Sequence, residues 1–98
     1  MICLLLTSFA NRRDALAFAK KLIAARLAAC CTLLPGAVSV YEWKGKRQSA
    51  SEVLLLIKTS AKLPALEKFF KARHPYELPE LLILSARASK AYEAWVKK

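Results

Sequence analysis

Long apolar runs are missing from this 98-residue chain: no stretch reaches the 18 residues expected of a membrane-spanning helix. The first residues, MICLLLTSFANRRD, lack a basic leading segment and carry too short an apolar run for a secretory signal. A cytoplasmic location and no membrane partner are therefore expected. Glycine is scarce as well. Gly36 and Gly45 are the only two, which excludes a Gly-rich loop cradling phosphates. Histidine occurs once, at His74, and seven acidic residues stand against 17 Lys and Arg, a formal charge of +10. The three cysteines, Cys3, Cys30 and Cys31, are an odd number with two adjacent, which is no disulfide framework. Neighbouring strand residues point to opposite faces, so Cys30 and Cys31 do not suit each other as partners and reduced thiols are expected.

What the chain has in excess is apolar material, 56% of residues with only 9% aromatic, above the usual share. One domain over residues 1–98 fits the length. A domain so small hides a limited fraction of its surface, so burial in an assembly would help it. The positive charge forms no stripe. It is spread over Arg12, Arg13, Lys20, Lys21 and Arg26, then Lys44, Lys46 and Arg47, then Lys62, Lys68, Lys71 and Arg73, the pattern of solvated helix faces and a turn. An RNA-binding sheet would need aromatics on its central strands, where ICLLLT and EVLLLIKT supply aliphatics. No nucleic-acid partner is expected.

Hydrophobic periodicity divides the chain into seven elements. ICLLLT (2–7) is an unbroken apolar run that suits a buried strand. Asn11 can cap a helix with Asp14 in its first turn, and Ala15, Phe18, Ala19, Leu22 and Ile23 repeat on one helical face. Two strands follow, the first bent at Pro35-Gly36 and the second running from Glu52 to Thr59, with Gly45 in the turn between. Pro64 opens a second helix with Leu66, Phe69 and Phe70 inside, and the residues before Pro75 and Pro79 are pushed to extended conformations, ending that helix near Arg73. Glu80 to Ser85 reads as a fourth strand, and Ser89 caps a terminal helix predicted to bury Tyr92, Trp95 and Val96.

The order βαββαβ plus a helix defines an α+β, ferredoxin-like fold. Right-handed crossovers put the two main helices on one face of the sheet. Three of the four strands are nevertheless apolar on both faces, as with Val53, Leu55 and Ile57 against Leu54 and Leu56. The uncovered face calls for a second copy of the sheet, and an obligate homo-oligomer is predicted.

RLAACCTLLPGAVSVYEWKGK, SEVLLLIKTS and HPYELPELLILS, in this order, resemble the CutA family, named for divalent-cation tolerance. The landmarks are Leu27-Ala28-Ala29-Cys30, Pro35-Gly36, Ser39, Tyr41, Trp43, Gly45-Lys46, Glu52, Lys58-Thr59, His74-Pro75-Tyr76-Glu77 and Pro79-Glu80, with a weaker match on to Tyr92 and Trp95. The resemblance implies a homotrimer with clefts between subunits, an association with copper and other divalent cations, and no established catalytic reaction. It also implies a trimer similar to that of the PII signal proteins, which bind small effectors in such clefts. Two departures remove candidate copper ligands: leucines fill Leu4 to Leu6, where some relatives carry a cysteine near the end of the first strand, and Arg73 stands where some carry a first of two histidines. The glycine often found before the terminal helix is also absent from SARASKAYEAW.

The candidate cleft residues are Tyr41, Trp43, Glu52, Lys58, His74, Tyr76, Glu77, Glu80 and Tyr92, with His74 the candidate metal ligand. Aromatic and basic groups of this kind line ligand pockets, while Tyr41 and Trp43 near a hairpin tip equally suit anchors for a neighbouring subunit. A tight copper site needs two to four thiolate, thioether or imidazole groups converging, and one chain offers His74, three thiols and Met1. No serine has a histidine–acid signature around it, so no catalysis is expected. The leading expectation is a trimeric divalent-cation tolerance protein with weak copper binding at most and no required cofactor. The alternative is a PII-like trimer that takes a small anionic effector or a protein partner in its clefts.

Overall fold

The computed structural model spans residues 1–98. Its elements are β1 (Ile2–Phe9), α1 (Arg12–Ala24), β2 (Cys30–Trp43), β3 (Lys46–Thr59), α2 (Leu63–Arg73), β4 (Leu82–Ala86) and α3 (Lys90–Lys97). The strands form one antiparallel sheet in the order β2-β3-β1-β4. This is the expected ferredoxin-like βαββαβ arrangement with an added C-terminal helix.

Local signals explain the boundaries. The Asn11 side chain accepts from the Asp14 amide at 2.8 Å, capping α1. A proline sits in the first turn of α2, and His74, restricted by Pro75, leaves the helix with extended backbone. The Ser89 hydroxyl accepts from the Tyr92 amide and caps α3. The β2–β3 register shifts between Leu34 and Ala37, around Gly36 at φ 82°, as a glycine-centred bulge requires. At the tip, Lys44 (φ 52°) and Gly45 (φ 76°) are both left-handed, the conformation of a two-residue turn matched to strand twist.

The core lies on one face of the sheet. Leu5 and Phe9 of β1 and Val53, Leu55 and Ile57 of β3 pack on Ala15, Phe18, Ala19 and Leu22 of α1 and on Leu66 and Phe70 of α2. The opposite face presents Leu4 and Leu6, Leu54 and Leu56, Leu34, and Leu82 and Leu84, which the registers place side by side. No main helix covers it, and Leu34, Leu82 and Leu84 stay 45–52% exposed.

The molecule carries surplus surface as a result. Its 6931 Å² of accessible area exceeds the roughly 5,600 Å² typical of a folded 10.9 kDa monomer. Its radius of gyration is 14.1 Å, against about 12.6 Å for a compact domain of this length. Both excesses follow from the β2–β3 arm projecting beyond the helices and from the bare face.

Four expectations need correction. β3 begins at Lys46 rather than Glu52: pairing along β2 imposes strand on KRQSAS, which has no apolar alternation of its own. β4 runs from Leu82 to Ala86, starting two residues later than predicted, because Pro79 lacks an amide for the ladder and its surroundings stay irregular. α3 buries Val96 alone, while Tyr92 and Trp95 remain 39% and 49% exposed and stack on each other at 5.7 Å. Ile23, placed on the inner face of α1, is likewise exposed, one position beyond the last residue that reaches the core.

Candidate functional site

The fold sorts the candidate residues into four places. Tyr41, Trp43, Glu52, Tyr76 and Glu80 converge on one cleft of about 550 Å³ along the β2–β3 arm, together with Ser8, Gln48 and Leu78. Tyr41 pairs with Gln48 across the hairpin, and Trp43 with Lys46, so both aromatics share the Glu52 face of the sheet. Lys58 and Tyr92 line a separate hollow at the other end of that face with Ile2, Leu4, Arg87 and Ser89. Glu77 lines a third depression beside α2 with Glu67 and Lys71. His74 lines none of these. It is buried, 8% exposed, behind the cleft.

Each bond to His74 has a definite sense. The Tyr76 amide donates to its Nδ1 at 3.1 Å, so that nitrogen is unprotonated. The proton therefore sits on Nε2, which donates to the Ser8 carbonyl at 3.1 Å and lies equally close to Thr7 Oγ1. The ring stacks on Phe9 at 4.4 Å and contacts Phe18, Phe70 and Tyr76. Burial among these rings lowers its pKa below the ordinary 6.5, with the Ser8 carbonyl opposing in part. In this state neither nitrogen has an unused lone pair for a metal, and Nε2 cannot take a proton from Thr7.

His74 does hold the cleft wall. By fixing the Tyr76 backbone it sets the Tyr76 hydroxyl against Glu52 Oε2 at 3.3 Å. Burial first, and the Glu52 carboxylate second, raise the Tyr76 pKa, so the phenol keeps its proton and donates to the carboxylate.

The thiols do not fit a copper centre either. Cys3 and Cys31 pack against the core. Burial and the neighbouring Cys30 push Cys31 up to about 11, with Lys58 opposing, and the thiolate is the ligating form. Cys30 Sγ lies 3.9 Å from the Lys58 ammonium, which also donates to Thr32 Oγ1 at 2.5 Å, and a fixed cation there repels a second. No three His, Cys, Asp or Glu side chains converge anywhere in the subunit.

Ser8, Gln48 and Leu78 join the cleft without any mark in the sequence. Ser8 sits at the end of an apolar strand and Leu78 in a proline-flanked link, so neither spacing nor composition singles them out. Gln48 falls in the part of β3 that has no strand pattern. Register alone reveals it.

A ferredoxin-like α+β subunit with one sheet face finished by helices, the other bare, and a carboxylate–aromatic cleft beside a projecting arm is the class that emerges. Residues 3–98 match the family model of the CutA1 divalent ion tolerance protein. The chain belongs to that family. It is 44% identical over 80 residues to the divalent-cation tolerance protein CutA of Citrobacter koseri, covering 80% of this chain and 70% of the relative. It is 42% identical over 90 residues to protein CutA of Homo sapiens, of which the matched region spans 50%. The chain thus accounts for about half the length of its human relative. Among solved structures, the divalent cation tolerance protein of Thermus thermophilus superposes with a TM-score of 0.92 at 36% identity, covering 99% of this chain and 96% of that one. No helix is long and apolar enough to cross a membrane.

Proposed function

We propose that this chain serves divalent-cation tolerance as a cytoplasmic homotrimer and catalyses no reaction. The observation that carries the reading is the bare aliphatic face. Leu34, Leu82 and Leu84 are about half exposed beside Leu4, Leu6, Leu54 and Leu56, a contiguous patch of the kind that marks an interaction surface. The names and fold of the relatives support the tolerance role.

Copper association belongs to this reading only in a weak form. Direct ligation by His74 would require its ring to leave the Phe9 stack and break the bond from the Tyr76 amide. The test is light scattering at micromolar concentration, followed by copper titration of the wild type and His74→Ala. A trimer that binds copper weakly, with no change in the variant, is expected. A monomer, or tight copper binding lost with His74, would overturn the reading.

A further inference from the structure

The bare sheet face has two hollows of opposite charge. Its arm-side cleft carries the Glu52 and Glu80 carboxylates, with no base among the cleft residues, while Lys46 stands further out on the same face beside Trp43. Its far end carries Lys58 and Arg87, with no acid in their hollow. Glu52 and Lys58 project from the same face of β3, and six residues of strand place them about 20 Å apart. Leu54 and Leu56 separate them along that face, flanked by the leucines of β1 and β4.

None of the four charges in the two hollows has an ionic partner within the subunit. The ion pairs are Met1–Glu93, Arg13–Asp14 and Lys97–Glu93. Lys58 has only Thr32 and Cys30 at its ammonium, and Glu52 only the Tyr76 phenol. A neighbour that covers the leucines also dehydrates the groups beside them, and a charge dehydrated without an opposite partner is strongly unfavourable. The apolar centre and the two charged ends therefore have to be satisfied together.

We infer that the two ends are halves of one composite site: Lys58 of one copy closes the Glu52–Glu80 cleft of the next. This rests on the homotrimer proposed above. A cyclic trimer has no two-fold axis, so each interface joins two different patches, and an acidic cleft and a basic hollow on one face supply such a pair. Each cleft then takes its basic wall from a neighbour. The same pairing occupies the cleft carboxylates, consistent with a subunit whose acids do not gather around a cation.

Zero-length carbodiimide coupling of the wild-type protein, followed by peptide mass spectrometry, tests this directly. An amide between Lys58 and Glu52 or Glu80 is expected, and the separation of about 20 Å along β3 makes a Lys58–Glu52 link intermolecular. Charge reversal provides the second arm. Lys58→Glu and Glu52→Lys should each raise the concentration at which the assembly dissociates by at least about tenfold, and the double exchange should restore it to within about threefold of wild type. Circular dichroism shows whether each variant stays folded. An intact trimer with neither crosslink, or folded single variants not rescued by the double exchange, overturns the composite site and leaves the trimer standing. A wild-type monomer overturns the proposed assembly itself.

Discussion

The imidazole of His74 lies almost flat on the ring of Phe9, with centroids 4.4 Å apart and planes 16° from parallel. The chain's one histidine is thus a structural wedge between β1 and the link leaving α2. Its tautomer is fixed by the Tyr76 amide on one side and the Ser8 carbonyl on the other.

That arrangement makes stability depend on pH with a definite sign. The folded pKa lies below the ordinary 6.5 because burial disfavours the imidazolium. Above 6.5 the ring is neutral in both folded and unfolded chains, and its contribution is fully present. As pH falls below 6.5 the unfolded chain binds a proton first, so stability declines until the folded pKa is reached. The slope from this group cannot exceed about 1.4 kcal/mol per pH unit. Urea midpoints measured between about pH 7.5 and 5 should fall in the wild type and flatten in His74→Phe; an equal decline in both would assign the effect elsewhere.

Removing the ring altogether should cost more than replacing it. His74→Ala loses a buried ring and its hydrogen bonds, and about 2–4 kcal/mol of destabilisation is expected. His74→Phe keeps the stack on Phe9 but leaves the Ser8 carbonyl without its donor, at about 1–3 kcal/mol. Both variants should also release Tyr76 from Glu52, visible as a fall of the Tyr76 pKa toward the ordinary 10.0 in ultraviolet titration. A Tyr76 titration that does not move would show that the link holds itself without His74.

Much of the fold is legible in the sequence because local chemistry and the global arrangement agree. The Asn11 cap, the proline that opens α2 and the glycine at the β2 bulge each specify a boundary without help from the rest of the chain. The return half of the arm is not legible. Lys46 to Ser51 have no strand pattern, and only pairing with Val38 to Trp43 makes them one. The site is legible by composition and not by distance: Glu52 and Lys58 sit six residues apart in sequence yet line different hollows. The burial of His74 is hidden because it depends on three phenylalanines from β1, α1 and α2.

The bare face gives a prediction that separates assembly from folding. Leu84 is 45% exposed in the single subunit, so Leu84→Asp removes little of the subunit's own core. It places a carboxylate on the β4 edge of the aliphatic patch, beside Leu4, where cover by a neighbour would leave it buried and unpaired. Gel filtration should show the variant as a folded monomer at concentrations where the wild type is assembled. An assembled Leu84→Asp protein would mean that another surface joins the copies.

The tip of the arm carries one strained position that substitution can relieve. Lys44 and Gly45 hold φ of 52° and 76°, and a left-handed backbone costs a non-glycine residue about 1–2 kcal/mol. Asparagine tolerates that region better than lysine and is preferred at the first position of this turn. Lys44→Asn should therefore stabilise the hairpin by about 0.5–1 kcal/mol, while Gly45→Val, with a branched side chain in the same region, should cost about 1–2 kcal/mol. A Cβ added at position 45 meets no neighbour within 4 Å, so the backbone preference acts without a packing clash. Urea midpoints of the two variants should move in opposite directions, and a parallel shift would show that the turn conformation is not what limits the arm.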